Sequence, residues 1–247
     1  MPTGSAELRD VYEAQYDGGD GAKAGQWRAL CAEGKADHVE RLARGLAPRS
    51  IAEVGCGDGV LLSRMSERGI GERRDGYEIS ERAVELATGR RGVDRVRRFD
   101  GATLPAGDGE YDLAVLSHVL EHVPDPAPLL RESARIARAV VVEVPLEDNR
   151  SASRPQAQRG REAVGHLHRF SRADVYALAG EARLTVAGEL ADPLPRQVHV
   201  FWAQGAAGHA RALAKAAVRR AVFTLAPGAA ERAFTVHYAA LLLPAGR

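Results

Sequence analysis

The sequence feature that most restricts the fold is a glycine-rich segment between a predicted strand and a predicted helix. Residues 50–54 (SIAEV) predict a buried strand, and residues 55–59 read GCGDG. Glycines permit a tight turn and let a ligand approach the backbone closely. The helix that follows presents free N–H groups and the positive end of its dipole. Such a loop can hold a pyrophosphate, or the carboxylate and ribose of another adenosine cofactor.

Short apolar runs alternate with helical segments along the rest of the chain. Further strands are predicted near 75–79, 95–99, 111–116, 140–144, 184–190 and 235–243, and helices near 6–16, 26–46, 60–68, 81–88, 127–136, 172–182 and 206–223. Buried parallel strands produce apolar runs of this kind, and Pro145 is expected to end the fifth strand. The predicted fold class is α/β: a Rossmann-like, doubly wound, seven-stranded, mostly parallel sheet with an N-terminal helical cap.

The chain has 247 residues, enough for one sizeable α/β domain with a short extension. We predict a helical cap over residues 1–48 and the sheet domain over residues 49–247. Residues 146–171 are polar and read as a long loop, suited to act as a lid. Residues 204–232 read as a helical insertion.

Composition restricts the partners of the chain. Lys and Arg number 34 against 33 acidic residues, so the net charge of +1 does not favour binding to nucleic acid or to an anionic membrane.

We find no apolar run of about 18 residues that would predict a transmembrane helix. The N-terminus lacks the apolar segment of a signal peptide. The two cysteines, Cys31 and Cys56, form neither a disulfide framework nor a zinc signature, so a cytoplasmic location is expected.

The glycine spacing distinguishes between two groups of adenosine-binding proteins. A dinucleotide-binding fingerprint reads G-x-G-x-x-G, whereas this chain has G-x-G-x-G with Glu53 two positions before the first glycine. From about residue 50 onwards the chain resembles the class I S-adenosylmethionine-dependent methyltransferases that act on small molecules. The resemblance implies S-adenosylmethionine as the cofactor, bound by Glu53, Gly55, Cys56 and Gly57.

Two acidic residues follow the loop in the register that this resemblance implies. Glu78 lies about twenty residues further on, at the end of the second strand, where its carboxylate can accept hydrogen bonds from both ribose hydroxyls. Its neighbour Ile79 is also expected to contact the cofactor. Asp100 ends the third strand, where family members place an acidic residue against the adenine amino group, and the N–H of Gly101 would reach a ring nitrogen. An alternative role for Asp100 is to initiate a turn.

The segment after the fourth strand, residues 117–122 (SHVLEH), resembles the same region of many small-molecule methyltransferases. Strand ends face the ligand crevice in such sheets. We therefore expect Ser117 and His118 to lie beside the methionine part of the cofactor. Glu121 and His122 are expected to brace the local helix.

Methyl transfer is an in-line displacement at a sulfonium, so the enzyme supplies binding, alignment and, for a hydroxyl acceptor, a base. Histidine suits that task near neutral pH. The candidates are His118 together with His166 and His168, which could share one face of an extended segment. An ordinary polar loop over the pocket is the alternative. No metal site is predicted, because no third ligand accompanies the two histidines, and Glu143 and Glu147 receive no role.

Other residues have competing interpretations. Tyr12 and Tyr16 lie one helical turn apart. Related enzymes cover the cofactor with an N-terminal helical segment, so Tyr16 is a candidate donor to the cofactor carboxylate, with packing on the sheet edge as the alternative. Trp27 is expected in the core rather than as a platform for the acceptor. The basic stripe at residues 211–220 reads as a solvated helix face, with an anionic acceptor or a dimer contact as the functional alternatives.

Together these patterns predict methyl transfer from S-adenosylmethionine to an oxygen, or a nitrogen, of a small molecule such as a natural-product intermediate or a sugar. Oxygen is preferred because the histidines suit a hydroxyl acceptor. The glycine spacing and the lack of a Tyr-x-x-x-Lys pair disfavour a nucleotide-dependent oxidoreductase. A non-catalytic adenosyl-binding regulatory module and a homodimer are left open. The charge and the absence of an N/D-P-P-Y/F motif after the fourth strand disfavour a nucleic-acid methyltransferase.

Overall fold

The computed structural model describes Glu13, Tyr16 and residues 21–246, and within these residues seven strands form one sheet. The strands are β1 (Ser50–Val54), β2 (Arg73–Glu78), β3 (Arg95–Arg98), β4 (Tyr111–Ser117), β5 (Ala137–Leu146), β6 (Leu184–Asp192) and β7 (Val236–Pro244). Their order is β3-β2-β1-β4-β5-β7-β6. The strands from β3 to β5 run parallel, and β7 is antiparallel to both of its neighbours. The predicted seven-stranded, mostly parallel, Rossmann-like sheet is confirmed.

Helices cover both faces of this sheet. They are α1 (Gly21–Ala43), α2 (Val60–Glu67), α3 (Glu81–Thr88), α4 (Pro126–Ile136), α5 (Pro155–Val164), α6 (Arg172–Glu181), α7 (Arg196–Val200), α8 (Gly205–Leu225) and α9 (Pro227–Ala233). None of the helices within residues 21–246 is long and apolar enough to span a membrane.

The apolar run of β5 shows why the sequence pattern indicates a buried sheet. Successive side chains of a strand point to opposite faces. Val140 and Val142 pack in the cluster that contains α4 and α6, whereas Val141 packs in the cluster that contains α1 and α2. Because both faces are covered there, the consecutive positions 139–142 are all apolar.

Several predicted boundaries differ from the observed ones. Residues 146–171 are not all loop, because α5 occupies the middle of this segment. Pro145 does not end β5, which continues to Leu146. The pairing of β5 with β4 stops at Glu143, so Pro145 pairs only with His237 of β7. A proline is tolerated there because the strand is an edge on its other side.

Polar residues fix the starts of two helices beside the crevice. The hydroxyl of Ser80 accepts a hydrogen bond from the N–H of Ala83 at the start of α3. The side chain of Asp125 accepts one from the N–H of Ala127, and Pro126 occupies the first turn of α4. Such caps satisfy backbone donors that a helix leaves free. They hold the loops after β2 and β4 in place.

Candidate active site

A cavity of about 730 Å³ lies at the carboxyl ends of β1, β2 and β4, next to the point where the strand order reverses. Ligands bind at this position in open α/β sheets. The volume lies within the range of about 300–1,000 Å³ that is typical of small-molecule sites. Of the thirteen predicted site residues, twelve line it: Tyr16, Glu53, Gly55, Cys56, Gly57, Glu78, Ile79, Asp100, Gly101, Ser117, His118 and His166. The other, His168, does not.

The glycine loop connects β1 to α2 along the cavity wall. Gly55 and Gly57 have φ angles of 73° and 53°, a region that favours glycine. A Cβ on Gly55 would lie 2.6 Å from Val119, and one on Gly57 would overlap the hydroxyl of Tyr16. A side chain at Gly57 would therefore displace that of Tyr16. Tyr16 lies over the loop, whereas Tyr12 falls outside the described residues.

The carboxylate of Glu78 is fixed at the end of β2. Its Oε2 accepts a hydrogen bond of 2.8 Å from the N–H of Gly57, and Oε1 accepts bonds of 2.7 and 3.0 Å from the N–H groups of Ile79 and Ser80. The side chain is only 6% exposed, and this burial raises its pKa. Because a carboxylate has about four acceptor positions, Oε2 keeps one for a ligand.

Asp100 initiates a turn at the cavity wall, which was the alternative role that the sequence suggested. Its Oδ1 accepts hydrogen bonds from the N–H groups of Ala102 and Thr103 at 2.8 and 2.7 Å, so the side chain initiates a turn. These bonds lower its pKa. Asp100 and the following Gly101, whose φ is 88°, also line the cavity.

Glu53 places an unpaired carboxyl oxygen beside the glycine loop. The residue is 4% exposed, and its Oε2 has no hydrogen-bond partner within the described part of the chain. Burial raises the pKa of this carboxyl well above its usual range, an effect that the nearby Lys35 opposes. A buried polar atom without a partner is unusual in a protein. This oxygen therefore suits a hydrogen-bond donor from a ligand.

One face of α1 forms a wall of the cavity that the sequence analysis did not predict. It carries Trp27, Arg28, Cys31, Ala32 and Lys35. Their spacing of three, four and seven residues is the signal that could have identified a shared helix face. The expectation that Trp27 lies in the core is wrong, since its ring lines the cavity and packs against Phe201 and Trp202 at centroid distances of 5.2 and 5.8 Å.

Arg28 connects α1 to the glycine loop. Its Nε donates a hydrogen bond of 2.9 Å to Oδ2 of Asp58, and its guanidinium lies 5.1 Å from the ring centre of Tyr16. Asp58 also pairs with Arg90 at 3.1 Å. The cavity thus has a cationic group next to the loop, held in place by a carboxylate and an aromatic ring.

Three histidines converge on Glu143 at the ends of β4, β5 and β7. Oε1 of Glu143 lies 3.6 Å from Nε2 of His118, 3.4 Å from Nδ1 of His237 and 3.4 Å from Nδ1 of His38. Burial would raise the pKa of Glu143, but the histidines hold it well below its usual range. The sequence assigned this glutamate no role, because its partners lie on distant segments.

Further carboxylates fix the outer nitrogens of this cluster. Nδ1 of His118 lies 2.9 Å from Oε1 of the buried Glu121, and Nε2 of His38 lies 2.9 Å from Oδ2 of Asp192. The backbone of His118 has a φ of 57°. A non-glycine residue in this region is strained, and such strain concentrates at functional sites.

The two histidines after β5 do not share one face. His166 lines the cavity, and its Nδ1 lies 2.8 Å from Oε2 of Glu147. His168 instead directs Nε2 at the carbonyl of Val123, 2.8 Å away. The placement therefore favours His166 over His168 for contact with a ligand, and Glu147 holds the ring of His166.

The predicted basic stripe on α8 is only partly a solvated face. Lys215 is exposed, but the guanidinium of Arg219 lies 4.8 Å from the ring centre of Phe234. Burial, with the nearby charge of Arg154, lowers the pKa of Arg219.

Comparison with known proteins identifies a methyltransferase domain in this chain. A family described as a methyltransferase domain matches residues 26–187. The ubiquinone biosynthesis O-methyltransferase of Thiobacillus denitrificans is 33% identical over 98 residues, which are 38% of this chain and 41% of that protein. The chain thus matches about two fifths of the length of its curated relatives.

Solved structures share the fold. Magnesium protoporphyrin IX methyltransferase from Synechocystis PCC 6803 has a TM-score of 0.60 at 14% identity, with 98% of this chain and 99% of that one covered. Geranyl diphosphate C-methyltransferase from Streptomyces coelicolor has a TM-score of 0.60 at 16% identity, with 84% and 76% covered. At such low identity the likeness concerns the fold alone.

Proposed function

The chain belongs to the methyltransferase-domain family, and we propose that it transfers the methyl group of S-adenosylmethionine to a hydroxyl oxygen of a small organic acceptor. The observation that carries the proposal is the Glu78 carboxylate, bound to the N–H of Gly57 at the carboxyl edge of the sheet. This bond joins the ribose-binding position to the glycine loop.

The adenosine part of the cofactor occupies the end of the cavity near β2 and β3. Glu78 accepts a hydrogen bond from a ribose hydroxyl through the remaining acceptor position of Oε2. Asp100 faces the adenine amino group, and the N–H of Gly101 faces a ring nitrogen. The apolar side chain of Ile79 packs on the adenine, because it lines the cavity between these groups.

The methionine part lies over the glycine loop. The unpaired Oε2 of Glu53 accepts a hydrogen bond from the ammonium group, which removes the cost of an unsatisfied buried oxygen. Arg28 binds the carboxylate, as a guanidinium pairs well with a planar anion. Tyr16 covers the loop and donates to the same carboxylate.

The reaction is a displacement at carbon. A lone pair of the acceptor oxygen attacks the methyl carbon, and the electrons of the carbon–sulfur bond move to sulfur. The products are a methyl ether and S-adenosylhomocysteine, and the hydroxyl proton is released. The chain contributes binding and in-line alignment, and His118 lies next to the acceptor hydroxyl.

The acceptor is a small molecule with an apolar or aromatic body. The cavity lining also includes Trp27, Val164, Leu194 and Val198, together with His166. Apolar walls with few polar groups are typical of sites for such ligands. The curated relatives are named O-methyltransferases, which supports oxygen as the methylated atom, and this wall favours an aromatic hydroxyl compound over a sugar.

The test is a transfer assay with isotopically labelled S-adenosylmethionine and paired acceptors. Each phenol or aromatic diol is offered beside the corresponding amine and beside a sugar of similar size. We expect label in the methyl ether of an aromatic hydroxyl compound. Label in the amine products alone, or in the sugar alone, would contradict the proposed acceptor class.

A further inference from the structure

Buried polar atoms that lack a hydrogen-bond partner within residues 21–246 concentrate in the histidine cluster. Among them are Oε1 of Glu143, Nε2 of His118 and Nδ1 of His38. The side chains of Glu143 and His38 are each only 2% exposed. Buried polar atoms nearly always have partners, so the convergence of such atoms on one point requires an explanation.

The spacing of these atoms fits metal coordination better than hydrogen bonding. Oε1 of Glu143 lies 3.6 Å from Nε2 of His118 and 3.4 Å from Nδ1 of His237. Hydrogen bonds between nitrogen and oxygen measure about 2.7–3.2 Å. Neighbouring ligands of a tetrahedral zinc ion lie about 3.3–3.5 Å apart, given metal–ligand bonds of about 2.0–2.2 Å. The ligand atoms of all three residues lie within 4.8 Å of one another.

The surrounding residues resemble the outer sphere of a metal site. A histidine that binds a metal usually donates its other N–H to a carboxylate or carbonyl. Nδ1 of His118 has such a partner in Glu121, at 2.9 Å. The hydroxyl of Ser117 donates to Oε2 of Glu143 at 3.3 Å, which leaves Oε1 for another partner. His38, held by Asp192, faces the same Oε1 from α1.

We propose that Nε2 of His118, Oε1 of Glu143 and Nδ1 of His237 bind one divalent transition-metal ion, with Zn²⁺ as the best match. Two histidines and one glutamate form a donor set of catalytic zinc sites, which keep a further position open. His118 and His237 line the cavity, so the open position faces it. The sequence analysis predicted no metal site, since these ligands lie far apart in the chain, just after β4 and on β5 and β7.

A neighbouring group is a weaker candidate. Glu121, His122 and His166 also bring ligand atoms within 4.8 Å of one another. Unlike the histidine cluster, this group contributes no histidine nitrogen to the buried atoms that lack a hydrogen-bond partner among the described residues. Nδ1 of His122 donates to the carbonyl of Gly165 at 3.2 Å, and Nδ1 of His166 lies 2.8 Å from a carboxylate oxygen.

Metal binding does not depend on methyl transfer. Its consequence for catalysis does rest on the proposed function: an acceptor hydroxyl would occupy the open position. A divalent ion lowers the pKa of a bound hydroxyl group. The metal-bound hydroxyl would then release its proton to solvent more readily. In that case His118 would serve as a metal ligand and not as a free base.

The experiment is a Co²⁺ titration of the full chain after treatment with a chelator, followed by visible absorption spectroscopy and competition with Zn²⁺. We expect one equivalent of Co²⁺, with the visible absorption of a four- or five-coordinate ion, and its displacement by Zn²⁺. The variants His237→Asn and His118→Asn should each lose this absorption. Glu121→Gln should weaken binding about 10- to 100-fold, as is typical for a partner of a ligand.

Matched controls locate the ion. His209→Asn alters an exposed histidine on α8, and His122→Asn alters the neighbouring group; both should bind Co²⁺ as the unaltered chain does. Circular dichroism shows whether each variant is folded, and calorimetry with S-adenosylhomocysteine tests the cofactor proposal separately. The inference is overturned if the folded, unaltered chain binds no Co²⁺. It is equally overturned if His122→Asn abolishes binding while His237→Asn does not, or if a thiolate absorption band places the ion on a cysteine.

Discussion

The two ends of the cavity are built in different ways. The cofactor end uses backbone groups: Glu78 is bound by the N–H groups of Gly57, Ile79 and Ser80, which lie within one loop and one strand end. The histidine end uses side chains from separate elements, and several of its atoms lack partners among the described residues. Local backbone groups therefore orient the Glu78 carboxylate, whereas buried atoms in the histidine cluster, and Oε2 of Glu53 beside the glycine loop, still lack partners among the described residues.

The largest expected effect tests the rigidity of the cofactor end. Gly57→Ala should weaken S-adenosylhomocysteine binding about 100-fold, because the new Cβ would displace the hydroxyl of Tyr16, the side chain that covers the glycine loop. The left-handed backbone adds about 1–2 kcal/mol of strain. Calorimetry measures the affinity.

Gly69→Ala is the matched control, because Gly69 also has a positive φ, of 69°, but a Cβ there meets nothing within 4 Å. It should cost stability and leave the affinity unchanged. Equal losses of affinity in both variants would show that strain alone explains the effect.

The next prediction tests the proposed contact between the guanidinium of Arg28 and the cofactor carboxylate. Arg28→Met should weaken binding of the cofactor product about 10- to 100-fold, the effect of losing a hydrogen bond to a charged group worth about 1.5–3 kcal/mol. Arg90→Met removes the other cationic partner of Asp58 but no group that lines the cavity. If both variants bind alike, Arg28 acts through Asp58 and not on the ligand.

The third prediction distinguishes binding of the acceptor from binding of the cofactor. Trp27→Leu should raise the KM for an aromatic acceptor about 2- to 10-fold, as expected from the loss of an aromatic contact worth about 0.5–1.5 kcal/mol. The affinity for S-adenosylhomocysteine should stay the same. Trp202→Leu removes the neighbouring ring, which is 50% exposed, and should change neither quantity. A parallel change in both variants would assign Trp27 a purely structural role.

The smallest predicted effect is a pH dependence. Burial raises the pKa of Glu78, and its ionised form is the one that accepts from the ribose. As pH falls through this raised pKa, the affinity for S-adenosylhomocysteine should fall, by about half where pH equals pKa. Asp100, whose pKa is lowered, stays ionised in that range. Calorimetry across pH should show this step in the unaltered chain and not in Glu78→Gln, which keeps only the separate titration of Glu53, whose pKa is also raised.

The difference between local and long-range contacts also explains which features the sequence could predict. The strand β1 and the helix α3 match their predicted bounds, and the glycine loop and Glu78 fall in register, because each depends on local pattern. The wall formed by α1 was missed, since Arg28 and Lys35 carry no motif and only the packing of the helix brings them to the cavity.

The histidine cluster marks the limit of prediction from local pattern. His118 was identified from the segment after β4, but His38 and His237 come from α1 and β7, and only the sheet topology places them against Glu143. The antiparallel pairing of β7 with β5, which sets His237 opposite Pro145, is a long-range property. No spacing rule in the sequence encodes it.

The most direct test of the account is calorimetry with S-adenosylhomocysteine, beside NAD, for the unaltered chain and for Glu78→Ala, with the exposed Glu81→Ala as control. We predict micromolar binding, about 8 kcal/mol, that weakens by about 1.5–3 kcal/mol in Glu78→Ala and persists in Glu81→Ala, with no heat from NAD. Absence of S-adenosylhomocysteine binding by the folded chain, or a preference for NAD, would contradict the account.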